Sequence, residues 1–230
     1  PGTVGLAAAI RNTNLKPEIT SSLEIGTELK LWNNRISLDA SWYSASSKNQ
    51  ILRSPLSLAT FYGAKVMNAG KISNKGWEMA LGITPIKKKL EWDIFFTASA
   101  NRSKVVELAD GVESYVMASA QGATIEARVG GRMGDIYGVG LLRNEEGKVV
   151  YKGGVPVFTS NTIRLGNYNP DWLGGIRNSL RYKNWSFSIL FDGKFGGKIY
   201  SFTHVTGTEA GSLANTLPGR EDGIGGDGVV

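Results

Sequence analysis

The stretch LEIGTELKLWNNRISLDASW, Leu23 to Trp42, decides the fold. In its first half Leu23, Ile25, Thr27, Leu29 and Leu31 alternate with Glu24, Gly26, Glu28 and Lys30, the period of two that a two-faced β-strand requires. After a tight turn at Asn33-Asn34, Ile36, Leu38, Ala40 and Trp42 share one face, and Arg35, Ser37, Asp39 and Ser41 share the other. The two runs form a β-hairpin. The same pattern returns where Trp77, Met79, Leu81 and Ile83 alternate with Glu78, Ala80 and Gly82. Beyond Pro85 and three lysines it continues with Leu90, Trp92, Ile94, Phe96 and Ala98 against Glu91, Asp93, Thr97, Ser99 and Asn101, making a second hairpin. A third is expected to join Trp172–Tyr182 to Trp185–Phe195 across Lys183-Asn184, with Trp185, Phe187, Ile189 and Phe191 on its outward face.

Short turns near residues 32–35, 85–89 and 183–184 alternate with long connections over residues 49–70, 105–170 and 196–230. Antiparallel strands reverse at every turn, so all the short turns fall at one end of the sheet and all the long loops at the other. That is the layout of an outer-membrane barrel, with short periplasmic turns and long extracellular loops. Soluble loops above about 12–15 residues are uncommon, and 105–170 is several times that. Within it, Asp135–Leu142 and Lys148–Tyr151, flanking Asn144-Glu145-Glu146-Gly147, suggest a small accessory hairpin. A soluble β-sandwich shows the same alternation, since it too buries one face and wets the other. Strand length and aromatic placement favour the barrel. The run from Leu90 to Lys104 exceeds the usual ~5–6 residues of a globular strand, and Trp32, Trp92, Tyr182 and Trp185 cluster near the short turns, where an interfacial aromatic girdle belongs.

Composition narrows the alternatives. The chain has 230 residues and a formal net charge of +6, with 41% hydrophobic residues and no cysteine, and its mean hydropathy is −0.14. Disulfide scaffolds, thiolate metal centres and cysteine nucleophiles are excluded together. The longest apolar stretch, Val4 to Ile10, is far short of the ~18 residues of a spanning helix. The run Gly130, Gly131, Gly134 and Gly138 lacks both the strand-then-helix context and the Gly-Lys-Ser/Thr of a phosphate cradle. The acidic neighbours Asp110 with Glu113, and Glu145 with Glu146, read as solvated loop charges, and the lone histidine, His204, as a polar residue at a strand end. The Asp222–Gly228 segment lacks the spacing of a calcium loop. Lys87, Lys88 and Lys89, with Lys30, Arg35, Arg181 and Lys183, sit at hairpin tips. They are not interleaved with stacking aromatics along a groove, so lipid headgroups or water are the expected partners and nucleic acid is not.

Two groups of residues carry a resemblance beyond architecture. Asn14-Leu15-Lys16-Pro17-Glu18, opening a strand, resembles a signature of the barrels of TonB-dependent receptors. The blocks VMNAGKISNKGWEMAL, Val66 to Leu81, and LGNYNPDWLGGIRNSLRYKNWSFSILFDGKFGGKIYS, Leu165 to Ser201, together resemble the C-terminal half of the SusC-like transporters of Bacteroidota. The resemblance covers nearly the whole chain. It implies an all-β fold, a segment of an antiparallel transmembrane barrel of roughly 22 strands, the size class whose lumen holds a plug. It also implies energisation by TonB through a region absent from this chain, and a SusD-like lipoprotein lid that captures oligosaccharide or peptide. Residues 1–230 are accordingly expected to be part of one barrel domain in the bacterial outer membrane, internal to a larger polypeptide, with the plug outside them.

No cofactor and no catalysis are expected. Phe61, Tyr62, Tyr115, Tyr137, Tyr151 and Tyr168 lie in the long connections and are the candidates to stack on sugar rings or to pack on peptide. A secreted β-sandwich carbohydrate-binding module or adhesin is the alternative, and a glycoside hydrolase built on a β fold the third.

Overall fold

The computed structural model describes residues 10, 12–55, 62, 64–68, 70–109, 111–153 and 155–217. Phe61, Asp110 and the Asp222–Gly228 segment lie outside them. In chain order the strands are β1 (Ile19–Leu31), β2 (Ile36–Lys48), β3 (Ile51–Pro55), β4 (Ala64–Asn68), β5 (Lys71–Lys87), β6 (Leu90–Glu107) and β7 (Ser114–Ala120). There follow β8 (Ala123–Arg128), β9 (Asp135–Gly138), β10 (Tyr151–Lys152), β11 (Val155–Pro156), β12 (Ile163–Asn167), β13 (Trp172–Tyr182) and β14 (Trp185–Phe195), then the α-helix α1 (Phe202–Glu209) and a 3-10 turn at Ala214–Thr216.

Six long strands form a single antiparallel sheet in the order β1-β2-β5-β6-β13-β14. Its register joins Leu29, Leu38, Leu81, Phe96, Ile176 and Phe191 into one continuous cross-strand row. The adjacent row reads Glu28, Asp39, Ala80, Thr97, Gly175 and Asp192. Because neighbouring residues on a strand point to opposite faces, the first row makes one face apolar from edge to edge, while the other face is mostly polar or small, with Phe95, Leu173 and Leu190 among its side chains. Among the described residues nothing covers the apolar face: Ile25 is 64% exposed, Phe187 61% and Phe191 59%. Among the described residues the buried apolar side chains are Val105, Leu108, Ala123, Ala127, Ile136 and Tyr137, all outside this face. A sandwich would have buried the apolar face against a second sheet, and this sheet does not.

Aromatic residues mark both ends of the apolar face. At the short turns Tyr182 stands opposite Leu90 and Trp185. At the other end Trp42 pairs Trp77, and Trp172 stacks on Phe195 with ring centroids 3.8 Å apart. The ten-residue step from Leu90 to Ala100 that separates these levels on β6 spans about 33 Å along the strand, or about 25 Å in height at a tilt of about 40°, the height of a barrel's lipid-facing band. Thr27 and Asn178 are polar positions on this face, and the Trp92 indole Nε1 donates to Asn178 Oδ1 at 3.4 Å.

Two details differ from the sequence expectation. Pro85 does not end β5, which runs on to Lys87 across a register shift between Ile83 and Ile86. A proline has no N–H for the ladder, and a bulge is where a strand tolerates that. There the Thr84 N–H donates to Arg35 O at 2.7 Å and its hydroxyl to Asp93 Oδ1 at 2.6 Å. His204 lies on α1 rather than at a strand end. Its N–H donates at 3.2 Å to the Ser201 hydroxyl that caps the helix.

The Asn14–Glu18 motif acts as a clamp at the start of β1. Lys16 N donates to Asn68 Oδ1, while Asn68 Nδ2 donates to both Lys16 O and Asn49 O, each at 2.8 Å. Glu18 Oε1 accepts from Ile51 N at 2.6 Å, and Asn49 Nδ2 reaches Pro17 O at 3.3 Å. One asparagine thus satisfies backbone groups that lie beyond the regular ladder.

Candidate ligand-capture site

By internal contacts the chain divides into two compact units, the second made of Val116–Glu126, Gly134–Tyr168 and Lys198–Val230. The second unit draws on residues 105–170, where the alternation predicts an accessory hairpin and no more. It is organised by a four-stranded sheet in the order β12-β9-β8-β7. The predicted hairpin is present in its tip. Arg143 and Val149 bridge, and Asn144 Oδ1 accepts from Glu146 N at 3.1 Å and Lys148 N at 2.9 Å. The Asp135 end instead becomes β9, wholly buried between β8 and β12.

A charged cluster holds this sheet together. Asp135 is 1% exposed and lies opposite Glu126, itself buried, on one side and Asn167 on the other. Two carboxylates side by side out of water require compensation. Arg164 Nη2 supplies it at 2.8 Å from Asp135 Oδ1, and Asn167 Nδ2 donates to the same oxygen at 2.9 Å. The Thr124 hydroxyl donates to Glu126 Oε1 at 2.5 Å. The hydrogen bond to Asp135 raises the pKa of Arg164 above its ordinary value. A raised arginine stabilises fully below its unfolded pKa and loses that contribution only as pH rises through the folded one, so this half of the pair is constant across neutral pH.

On this sheet opens a cavity of about 270 Å³, lined by Ala118, Ile125, Ile136, Tyr168, Ile199 and Tyr200 among others. The segment Lys198–Tyr200 is pinned at both ends. Lys198 N donates to Asn167 O at 2.7 Å, and the Tyr200 hydroxyl donates to Gln121 O. Between those ties Ile199 is 96% exposed. The volume suits one side chain or one ring, and the lining offers far more apolar surface than hydrogen-bonding groups.

Of the residues expected to contact ligand, the cavity takes in Tyr168, which is 47% exposed. Tyr137 is buried in β9, its carbonyl within 3.5 Å of the Thr124 hydroxyl. Tyr151 is half-buried in β10 opposite Pro156. In the first unit Tyr115 donates its hydroxyl to Arg53 O at 2.5 Å, and Tyr62 forms a β-bridge. Phe61 is outside the described residues. Ile199 and Tyr200 were missed from the sequence, where the only signal was an apolar-aromatic pair directly after Gly196-Gly197-Lys198. Among the described residues no helix is long and apolar enough to cross a membrane, which says nothing of strands, and no acidic or histidine cluster could hold a metal.

A family model described as TonB dependent receptor-like, beta-barrel, matches residues 2–226. Among similar proteins, TonB-dependent receptor P3 of Formosa agariphila is 26% identical over 223 residues, which cover 84% of this chain and 22% of that protein. TonB-dependent receptor SusC of Bacteroides thetaiotaomicron is 25% identical over 205 residues, 82% of this chain and 20% of that protein. Among solved structures, the RagAB peptide transporter matches with a TM-score of 0.62 at 20% identity, over 76% of this chain and 21% of that chain. The chain therefore spans about a fifth of the length of these relatives.

Proposed function

Because the chain belongs to the TonB-dependent receptor-like β-barrel family, we propose that it supplies six wall strands and the surface loops of an outer-membrane nutrient importer. The observation that carries this is the six-stranded sheet itself, apolar and uncovered on one face and polar on the other. In a barrel wall the first face meets lipid and the second the lumen. The long connections then lie outside the cell, with the short turns on the periplasmic side. The relatives in this family are receptors and transporters rather than enzymes. Energisation by TonB and a SusD-like lipoprotein lid are part of the proposal, supported by the likeness to SusC and to RagAB.

The cargo we favour is peptide rather than oligosaccharide. The loop cavity is walled by alanine, isoleucine and tyrosine and has few groups to satisfy the many hydroxyls of a sugar. It accepts one apolar side chain, with Tyr168 packed along it. The test is uptake of labelled apolar-rich oligopeptides and of labelled oligosaccharides by cells carrying the full-length transporter, with and without Tyr168→Ala. Peptide uptake is expected, with capture weakened about two- to tenfold by loss of the aromatic contact. Uptake of oligosaccharide alone, or peptide uptake indifferent to Tyr168, would contradict the assignment.

A further inference from the structure

Above the upper aromatic level the lipid-side face changes character. The register places Lys75 opposite Arg102, one row beyond Trp77, and Lys104 opposite Ser73 in the row after that. Lys48 stands opposite Lys71 at the top of β2 and β5. Counting residues from Trp42, Trp77 and Phe96, all five cations fall on the same face as the apolar band. Two carboxylates lie beside them: Asp171, whose Oδ1 is 3.0 Å from Arg102 Nη2 and 3.6 Å from Arg132 Nη1, and Glu107, opposite Lys71. Like charges directly opposite each other destabilise a sheet, and here two such pairs occur on adjoining strands. β2, β5 and β6 each have a neighbour on both sides, so this patch is complete within the chain.

Directly below, the aromatic row is broken. Between Trp77 and Trp172 stands Ala100, and beneath it a hollow of about 550 Å³ opens among Met79, Phe96, Ala98, Trp172, Gly174 and Phe191. The Trp172 ring leans over Gly174 so closely that an added Cβ would lie 2.5 Å from it. Cations above an apolar slot match the two halves of an anionic lipid, which a second copy of this basic surface would not.

Resting on the membrane reading above, we infer that the β2-β5-β6 rim binds a phosphorylated, acylated lipid of the leaflet on the long-loop side. Its phosphate lies on Lys75 and Lys104, and an acyl chain descends past Ala100 into the hollow. Each cation near an anionic surface contributes about 1 kcal/mol, or roughly fivefold in retention, so two together are worth about thirtyfold.

The test compares the full-length protein with its Lys75→Gln/Lys104→Gln variant, both inserted into phosphatidylcholine vesicles carrying phosphorylated lipid A, then extracted and analysed by native mass spectrometry. Heat-modifiable gel migration reports insertion. Lys194→Gln, on the lumen face in the row of Leu173 and Ser99, is the control. Expected are lipid A retained by the unmodified protein and by Lys194→Gln, about thirtyfold less on the double variant, and little dephosphorylated lipid A on any. Equal retention by both inserted proteins, equal retention of the dephosphorylated form, or a cation-dependent dimer without lipid would overturn the site while leaving the barrel reading intact. Failure of the unmodified protein to insert would overturn both.

Discussion

At the scale of single residues, the loop unit depends on Arg164. Removing it would take the guanidinium away from Asp135, which is buried opposite Glu126 and also accepts from Asn167. Breaking a fully buried pair costs about 3–5 kcal/mol; Arg164 is about half exposed, so Arg164→Ala is expected to destabilise this unit by about 2–4 kcal/mol. Hydrogen exchange in the full-length protein would show it as faster exchange over β8, β9 and β12, with Arg164→Lys recovering part of the protection. Unaltered exchange in Arg164→Ala would show that the cluster does not hold the sheet. None of this was legible in the sequence, because Asp135 is far along the chain from Arg164 and Asn167 and meets them only through the pairing of β9 with β12. The Asn14–Glu18 motif was legible as a signature, but its work was not. Its partners Asn49 and Ile51 carry no pattern of their own, and Asn68, although inside the Val66–Leu81 block, is identified as a partner only by the hydrogen bonds it makes.

At the scale of elements, what could be read was set by strand length and by whether a strand has two different environments. The six wall strands alternate apolar and polar side chains over most of their length, Asn178, Phe95 and Leu190 being departures, and their period of two is visible in the sequence alone. Pro85 looked like a boundary because a proline normally breaks a ladder, yet a bulge absorbs it. β9 has four residues, all buried, so it offers no alternation to detect. Helix α1, FTHVTGTE, has no buried residue and carries three threonines, a valine and a glycine, leaving neither an apolar stripe nor strong propensity to betray it. The parity of β6 yields a direct expectation. Ile94 lies between the two aromatic levels on the lipid side, and Thr97 on the lumen side. Ile94→Lys is expected to cost about 2–4 kcal/mol on folding into lipid vesicles, with Phe96→Lys as a second outward probe and Thr97→Lys costing far less. Greater damage from Thr97→Lys than from both outward changes would mean that the faces are exchanged.

At the scale of the whole molecule, the account rests on one property of the wall. A sheet that is apolar on one face, uncovered by protein and bounded by aromatic levels about 25 Å apart is stable only if lipid replaces the missing second layer. The proposed lipid rim takes its place from it. The chain has no cysteine, so single cysteines can be placed along β6 from Leu90 to Asn101 in a thiol-free full-length protein, labelled with a polarity-sensitive fluorophore and reconstituted into vesicles. Quenching by a lipid-borne quencher should alternate with period two, strong at Trp92, Ile94, Phe96 and Ala98 and weak at Asp93, Phe95, Thr97 and Ser99, with the inverse pattern for an aqueous quencher. Uniform quenching along the strand, or no lipid quenching at any position, would contradict a membrane-spanning wall.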